Sequence, residues 1–90
     1  MGSRLKDKVA IVTGASRGIG RAIGVALAGE GATVVLAGRA EADLSETAKR
    51  IRQVGGTPEI VPTELTEEQS IQNLVAKTSE RFGRLDILVN

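Results

Sequence analysis

Ninety residues allow one small domain with a modest core, and a net charge of +1 gives no electrostatic reason to expect nucleic acid or an acidic membrane surface. No apolar run has the length of a membrane span, no signal-peptide pattern opens the chain, and the absence of cysteine rules out a disulfide framework and fits the cytoplasm. His, Tyr and Trp are absent too, so these residues alone supply no histidine base, tyrosine acid, cysteine nucleophile or ordinary zinc site.

The first predicted strand is residues 8–13, a β-rich apolar run that stops at Gly14. A glycine-rich loop follows, and residues 21–29 then read as a helix of small side chains, with Ile23, Ala26 and Leu27 facing the sheet. Its internal Gly24 and terminal Gly29 lower its intrinsic propensity, so tertiary packing has to hold it. A second strand is predicted at residues 33–37. Helical spacing of Leu44, Ala48, Ile51 and Val54 follows it, stopped by Gly55 and Gly56. Residues 58–61 form a weaker third strand. The third helix carries Ile71, Leu74, Val75 and Phe82 on one face and starts at a capping-box spacing of Thr66 and Gln69. Residues 86–90 are the fourth strand.

Runs that are apolar throughout, rather than alternating, suit strands buried on both faces of a parallel sheet. Alternation of strand and helix from Lys8 to Asn90 is the rhythm of a doubly wound α/β fold. Right-handed crossovers then place the first two helices on one face and the third on the other. The resulting strand order is 3-2-1-4, with the switch point between strands one and four. No repeat or linker divides residues 1–90.

Between the first strand and first helix stand Thr13, Gly14, Ala15, Ser16, Arg17, Gly18, Ile19 and Gly20. Here a backbone that binds a pyrophosphate must turn sharply, approach the anion closely and let the helix pack. Gly14 suits the turn, Gly18 the approach and Gly20 the packing, while the free N–H groups and dipole of a helix start favour an anion. A glycine loop alone also has a bland reading, a flexible turn. Its position between strand and helix favours the dinucleotide reading.

This segment matches T-G-x-x-x-G-x-G, and the chain resembles the classical short-chain dehydrogenases/reductases over essentially its whole length. Residues 80–85 and 85–90 also look like the family's approach to its fourth strand, the strand itself, and the first residue of the Asn-Asn-Ala-Gly motif that follows. Bacterial-type reductases such as the 3-oxoacyl-acyl-carrier-protein reductases are similar. The resemblance implies a partial Rossmann-type fold, interrupted inside that motif. It also implies hydride transfer between a nicotinamide cofactor and a carbonyl or alcohol carbon of a small molecule. Family chemistry needs a Tyr-x-x-x-Lys pair and a Ser further on. With no tyrosine in the chain, no catalytic residue is assigned and the isolated chain is expected to be inactive.

An NAD site usually ends its second strand on an acid that binds the ribose 2′-hydroxyl. This chain has Gly38, Arg39 and Ala40 there, and guanidinium suits a 2′-phosphate. Arg39 with Arg17 therefore points to NADP over NAD, although either arginine could simply be solvated and Glu41 stands near enough to compete for Arg39. The resemblance adds the Ile19 backbone N–H toward the phosphates, Glu64 toward the adenine amino group, Leu65 as adenine packing and Asn90 near a ribose. Glu64 is one methylene longer than the family's Asp, so an ordinary surface carboxylate is its alternative role. Asn90 could equally just end its strand. The expected cofactor-binding set is Gly14, Ser16, Arg17, Gly18, Ile19, Gly20, Arg39, Glu64, Leu65 and Asn90. A different functional class stays open: a stand-alone nucleotide-binding or self-associating half-Rossmann module without catalysis. An unpaired fourth strand bearing Ile87, Leu88 and Val89 would favour self-association.

Overall fold

The computed structural model describes residues 3–64 and 68–90. Its elements run β1 (Val9–Thr13), α1 (Gly18–Gly29), β2 (Thr33–Gly38), α2 (Glu41–Gln53), β3 (Thr57–Pro62), α3 (Glu68–Phe82) and β4 (Ile87–Val89). All strand pairs are parallel, and the sheet order is β3-β2-β1-β4, as the crossover rule requires of this element sequence.

The continuous apolar runs are explained by two cores, one on each face. Val12, Val34 and Leu36 point toward α1 and α2, where they meet Ala28, Leu44, Ala48 and Ile51. Val9, Ile11, Val35 and Ala37 point the other way, toward Leu74 of α3. Ile11, Val12, Val34 and Leu36 are wholly removed from solvent. Burial of each such side chain contributes on the order of 1.5–3 kcal/mol.

Several local expectations shift. α1 begins at Gly18, three residues before Arg21, so the last glycines of the loop already form its first turn. Its buried residues are Gly24 and Ala28, flanked by partly buried Ile23 and Leu27, while Ala26 faces solvent. The smallest side chains lie where the helix approaches the sheet most closely, and the larger ones reach around the flanks. On α2 the buried set gains Thr47. On α3 only Leu74 and Thr78 are buried, and Ile71 is an exposed hydrophobic outside both cores. β3 is longer than predicted and β4 shorter. The Thr66 half of the capping box lies outside the described residues.

Register is what matters for function. Thr13 pairs with Ala37, Gly38 with Pro62, and Val12 with Val89. All four strands therefore end along one rim of the sheet. The segments that follow them, beginning at Gly14, Arg39, Thr63 and Asn90, emerge together there. In open α/β sheets ligands bind outside the carboxyl ends of the strands, where the order reverses. Here that point lies between β1 and β4.

Candidate functional site

The loop after β1 is shaped by glycine. Gly14 and Gly18 have φ of +64° and +61°, in the left-handed region that side chains disfavour. Nothing lies within 4 Å of where a Cβ would stand at either residue, so the space over the loop is open. Gly20 differs. A Cβ there would run into the carbonyl oxygen of Gly14 and sit 2.8 Å from its carbonyl carbon. Its packing contact is thus with the loop's own backbone, which draws the first turn of α1 against the end of β1.

The start of α1 is electrostatically open. Arg17 is an extended N-cap that makes no side-chain capping bond, and no acid occupies the first turn. α2, in contrast, carries Glu41 and Asp43 in its first turn. Donors at the start of α1 and the positive end of its dipole are left for an anion. Ile19, in that turn, has 80% of its surface exposed.

Behind the loop lies a network that sequence reasoning missed. The Arg21 guanidinium donates to the Ser16 carbonyl at 2.6 Å, the Asp43 carbonyl at 3.0 Å and the Thr47 hydroxyl at 2.8 Å. The Thr47 hydroxyl has the Ala15 carbonyl 2.8 Å away as acceptor, and its side chain is fully buried. These bonds fasten two consecutive loop carbonyls to α1 and α2. The available signal was Thr47 standing on the apolar stripe between Leu44 and Ile51, where a hydroxyl needs a partner.

Ser16 also touches the next strand end. Its Oγ is 3.1 Å from where a Cβ on Gly38 would stand, so Gly38 leaves the room Ser16 occupies. The residue after each, Arg17 and Arg39, therefore emerges from neighbouring points of the rim. Both guanidinium groups are exposed and each has a carboxylate beside it. Arg17 Nε is 3.8 Å from Asp43, and Arg39 Nη1 is 3.2 Å from Glu64. The acid beside Arg39 is thus Glu64 rather than the expected Glu41, because the β2–β3 ladder continues through a 2.8 Å bond from the Thr63 N–H to the Gly38 carbonyl.

At the switch point, the Thr13 hydroxyl lies 3.1 Å from the Val89 carbonyl and 3.4 Å from Asn90 Oδ1. It joins the ends of β1 and β4, a role for Thr13 that the sequence pattern did not suggest. Leu65 lies outside the described residues. Gly14, Ser16, Arg17, Gly18, Ile19, Gly20, Arg39, Glu64 and Asn90 all sit at the rim. At the opposite end of β4, Asp86 accepts two bonds from Arg84, at 2.8 and 2.9 Å, and one from the Val9 N–H at 2.9 Å.

A parallel 3-2-1-4 sheet with a glycine loop at its switch point defines a Rossmann-type nucleotide-binding architecture. The family described as short chain dehydrogenase matches residues 8–90, and the chain belongs to that family. An uncharacterized oxidoreductase of Staphylococcus saprophyticus is 49% identical over 89 residues, covering 96% of this chain and 37% of that protein. The apo glucose dehydrogenase of Caenorhabditis elegans superposes with a TM-score of 0.90 at 41% identity, over 97% of this chain and 38% of that one. A metagenomic short-chain oxidoreductase in complex with NADP does so with a TM-score of 0.89 at 38% identity, over 93% and 38%. This chain therefore spans little more than a third of the length of these relatives. No described helix is long and apolar enough to cross a membrane.

Proposed function

We propose that this chain is the NADP(H)-binding portion of a cytoplasmic short-chain dehydrogenase/reductase. Its whole protein transfers hydride between the nicotinamide and a carbonyl or alcohol carbon of a small molecule. The observation that carries the cofactor choice is the end of β2, where Arg39 stands in place of an acid, next to the loop bearing Arg17. Gly14 and Gly18 give the loop an open surface, and the Gly18, Ile19 and Gly20 N–H groups begin a helix without an acidic side chain in its first turn. This is a cradle suited to a pyrophosphate. Ser16 lines the loop, Glu64 follows β3 beside Arg39, Leu65 is next in sequence as the residue to pack on adenine, and Asn90 follows β4 toward a ribose. The NADP complex of a structural relative agrees with this choice.

When bound, the dinucleotide would supply the hydride chemistry, while this chain's residues bind and orient it. The chain has no tyrosine to exchange a proton with the substrate, so turnover by these residues alone is not expected.

Calorimetric titration with NADP and NAD tests the reading. NADP should bind more tightly, and Arg39→Gln should remove most of the difference. Equal affinity for the two overturns the cofactor choice. Failure to bind either overturns the reading of the rim as a dinucleotide site.

A further inference from the structure

We propose that Glu64 is an internal competitor for Arg39, so that the carboxylate on β3's end, and not Arg39 alone, sets how strongly this site prefers a 2′-phosphorylated adenosine. The inference rests on the dinucleotide reading given above and assigns Glu64 a task distinct from an adenine contact.

The backbone brings the two side chains together. Arg39 directly follows Gly38, and Glu64 directly follows Thr63. The Thr63 N–H binds the Gly38 carbonyl at 2.8 Å, holding the two residues on adjoining strand ends. The Nη1–Oε2 separation is 3.2 Å. The guanidinium is 77% exposed and the carboxylate 30%, so Glu64 is the more deeply seated partner. Arg39 is held on one nitrogen only in this contact, which leaves its other edge to meet an incoming anion.

A 2′-phosphate landing on that edge meets two costs. It has to weaken or share the existing ion pair, and it approaches a second negative charge across a single guanidinium. In NAD-type sites an acid at the end of β2 opposes the 2′-phosphate directly. Here an acid on the neighbouring strand opposes it through the arginine. The second pair at the rim, Arg17 with Asp43, is longer, at 3.8 Å. Exposed pairs are weak, so the competition is worth a few-fold in affinity, not orders of magnitude.

The test titrates this chain with adenosine 2′,5′-bisphosphate and with 5′-AMP, which differ only in the 2′-phosphate. Glu64→Gln should tighten bisphosphate binding by about two- to fivefold and leave 5′-AMP binding unchanged. In an Arg39→Gln background the gain should vanish. Glu64→Asp, whose carboxylate is drawn back by one methylene, should move in the same direction by less. Circular dichroism of each variant checks that the fold is retained. The proposal is overturned by bisphosphate binding that is unchanged or weaker in Glu64→Gln, by an equal gain for both ligands, or by a gain that persists without Arg39. Loss of 5′-AMP affinity in Glu64→Gln overturns it as well, since the carboxylate would then act on the base. The underlying readings fail separately and earlier: the dinucleotide site if the unmutated chain binds neither ligand, and the cofactor choice if Arg39→Gln leaves bisphosphate affinity unchanged.

Discussion

The guanidinium of partly buried Arg21 and the hydroxyl of fully buried Thr47 meet at 2.8 Å between α1 and α2, directly behind the glycine loop. The loop's outward face is therefore held from the inside. Ala15 and Ser16 turn their carbonyls back to Thr47 and Arg21, and the rim-facing side of the segment is left to other partners.

Removing that hydroxyl tests how far the loop depends on it. Thr47→Val keeps the shape but leaves Arg21 Nε without its acceptor and the Ala15 carbonyl without its donor. Leaving buried polar groups without their partners costs about 1–3 kcal/mol. Chemical denaturation should report a loss of that size, and nucleotide affinity should fall with it because the loop is released. Unchanged stability would show that water replaces the hydroxyl at no cost.

Two glycines of α1 should respond in opposite directions to the same methyl group. At Gly20 a Cβ collides with the backbone of Gly14, which has no flexible end to move, so Gly20→Ala should destabilise by about 1–3 kcal/mol and disturb the loop. At Gly24 a Cβ would find Leu36 at 3.5 Å and Val34 at 3.8 Å, ordinary contact distances. Gly24→Ala also improves helix propensity by about 1 kcal/mol and should raise Tm by about 4–8 °C. Thermal melts of the two variants decide the matter. A loss of stability at Gly24 would mean that α1 sits too close to β2 for any side chain.

Acid should loosen the junction of β1 and β4. The Arg84 guanidinium, and then the Val9 N–H, hold the Asp86 carboxyl at about 2, below its ordinary 3.8. A carboxyl depressed on folding stabilises above its unfolded value and loses that contribution as pH falls through the folded one. The gap in Tm between the native chain and Asp86→Asn should therefore be constant above about pH 4 and close toward pH 2. A gap that does not change with pH would assign the effect of the substitution to geometry.

Strand order was legible in the sequence because two-faced apolar runs and right-handed crossovers leave few alternatives. Gly14, Gly18 and Gly20 were legible because their spacing reflects backbone requirements local to one turn. What escaped were contacts between residues distant in sequence. Arg39 and Glu64 are brought together only by the β2–β3 register, and composition pointed instead to the nearer Glu41. Arg21 resembles an ordinary helix-surface residue until the neighbouring helix is in place, and Thr47 shows only as a hydroxyl on an apolar stripe with its partner unnamed. Ala26 was assigned to the sheet-facing side of α1 by hydrophobicity, but the phase of the helix puts Gly24 and Ala28, four residues apart, on that side.

The free edge of the sheet carries the last expectation. β4 pairs with β1 alone, and among the described residues its other edge has no strand beside it. Leu88, in register with the buried Ile11, is 50% exposed on the side that α3 only partly covers. An unpaired parallel edge next to an uncovered leucine is a surface that recruits another strand. This chain should therefore self-associate in a concentration-dependent way on sedimentation. Leu88→Lys should oppose that association through charge and through the loss of about half a leucine's burial, roughly 0.75–1.5 kcal/mol. That burial alone corresponds to a dimer weaker by about four- to twelvefold. A native chain that stays monomeric across the accessible concentration range would refute the expectation. Equal association of the two proteins would place the contact away from β4.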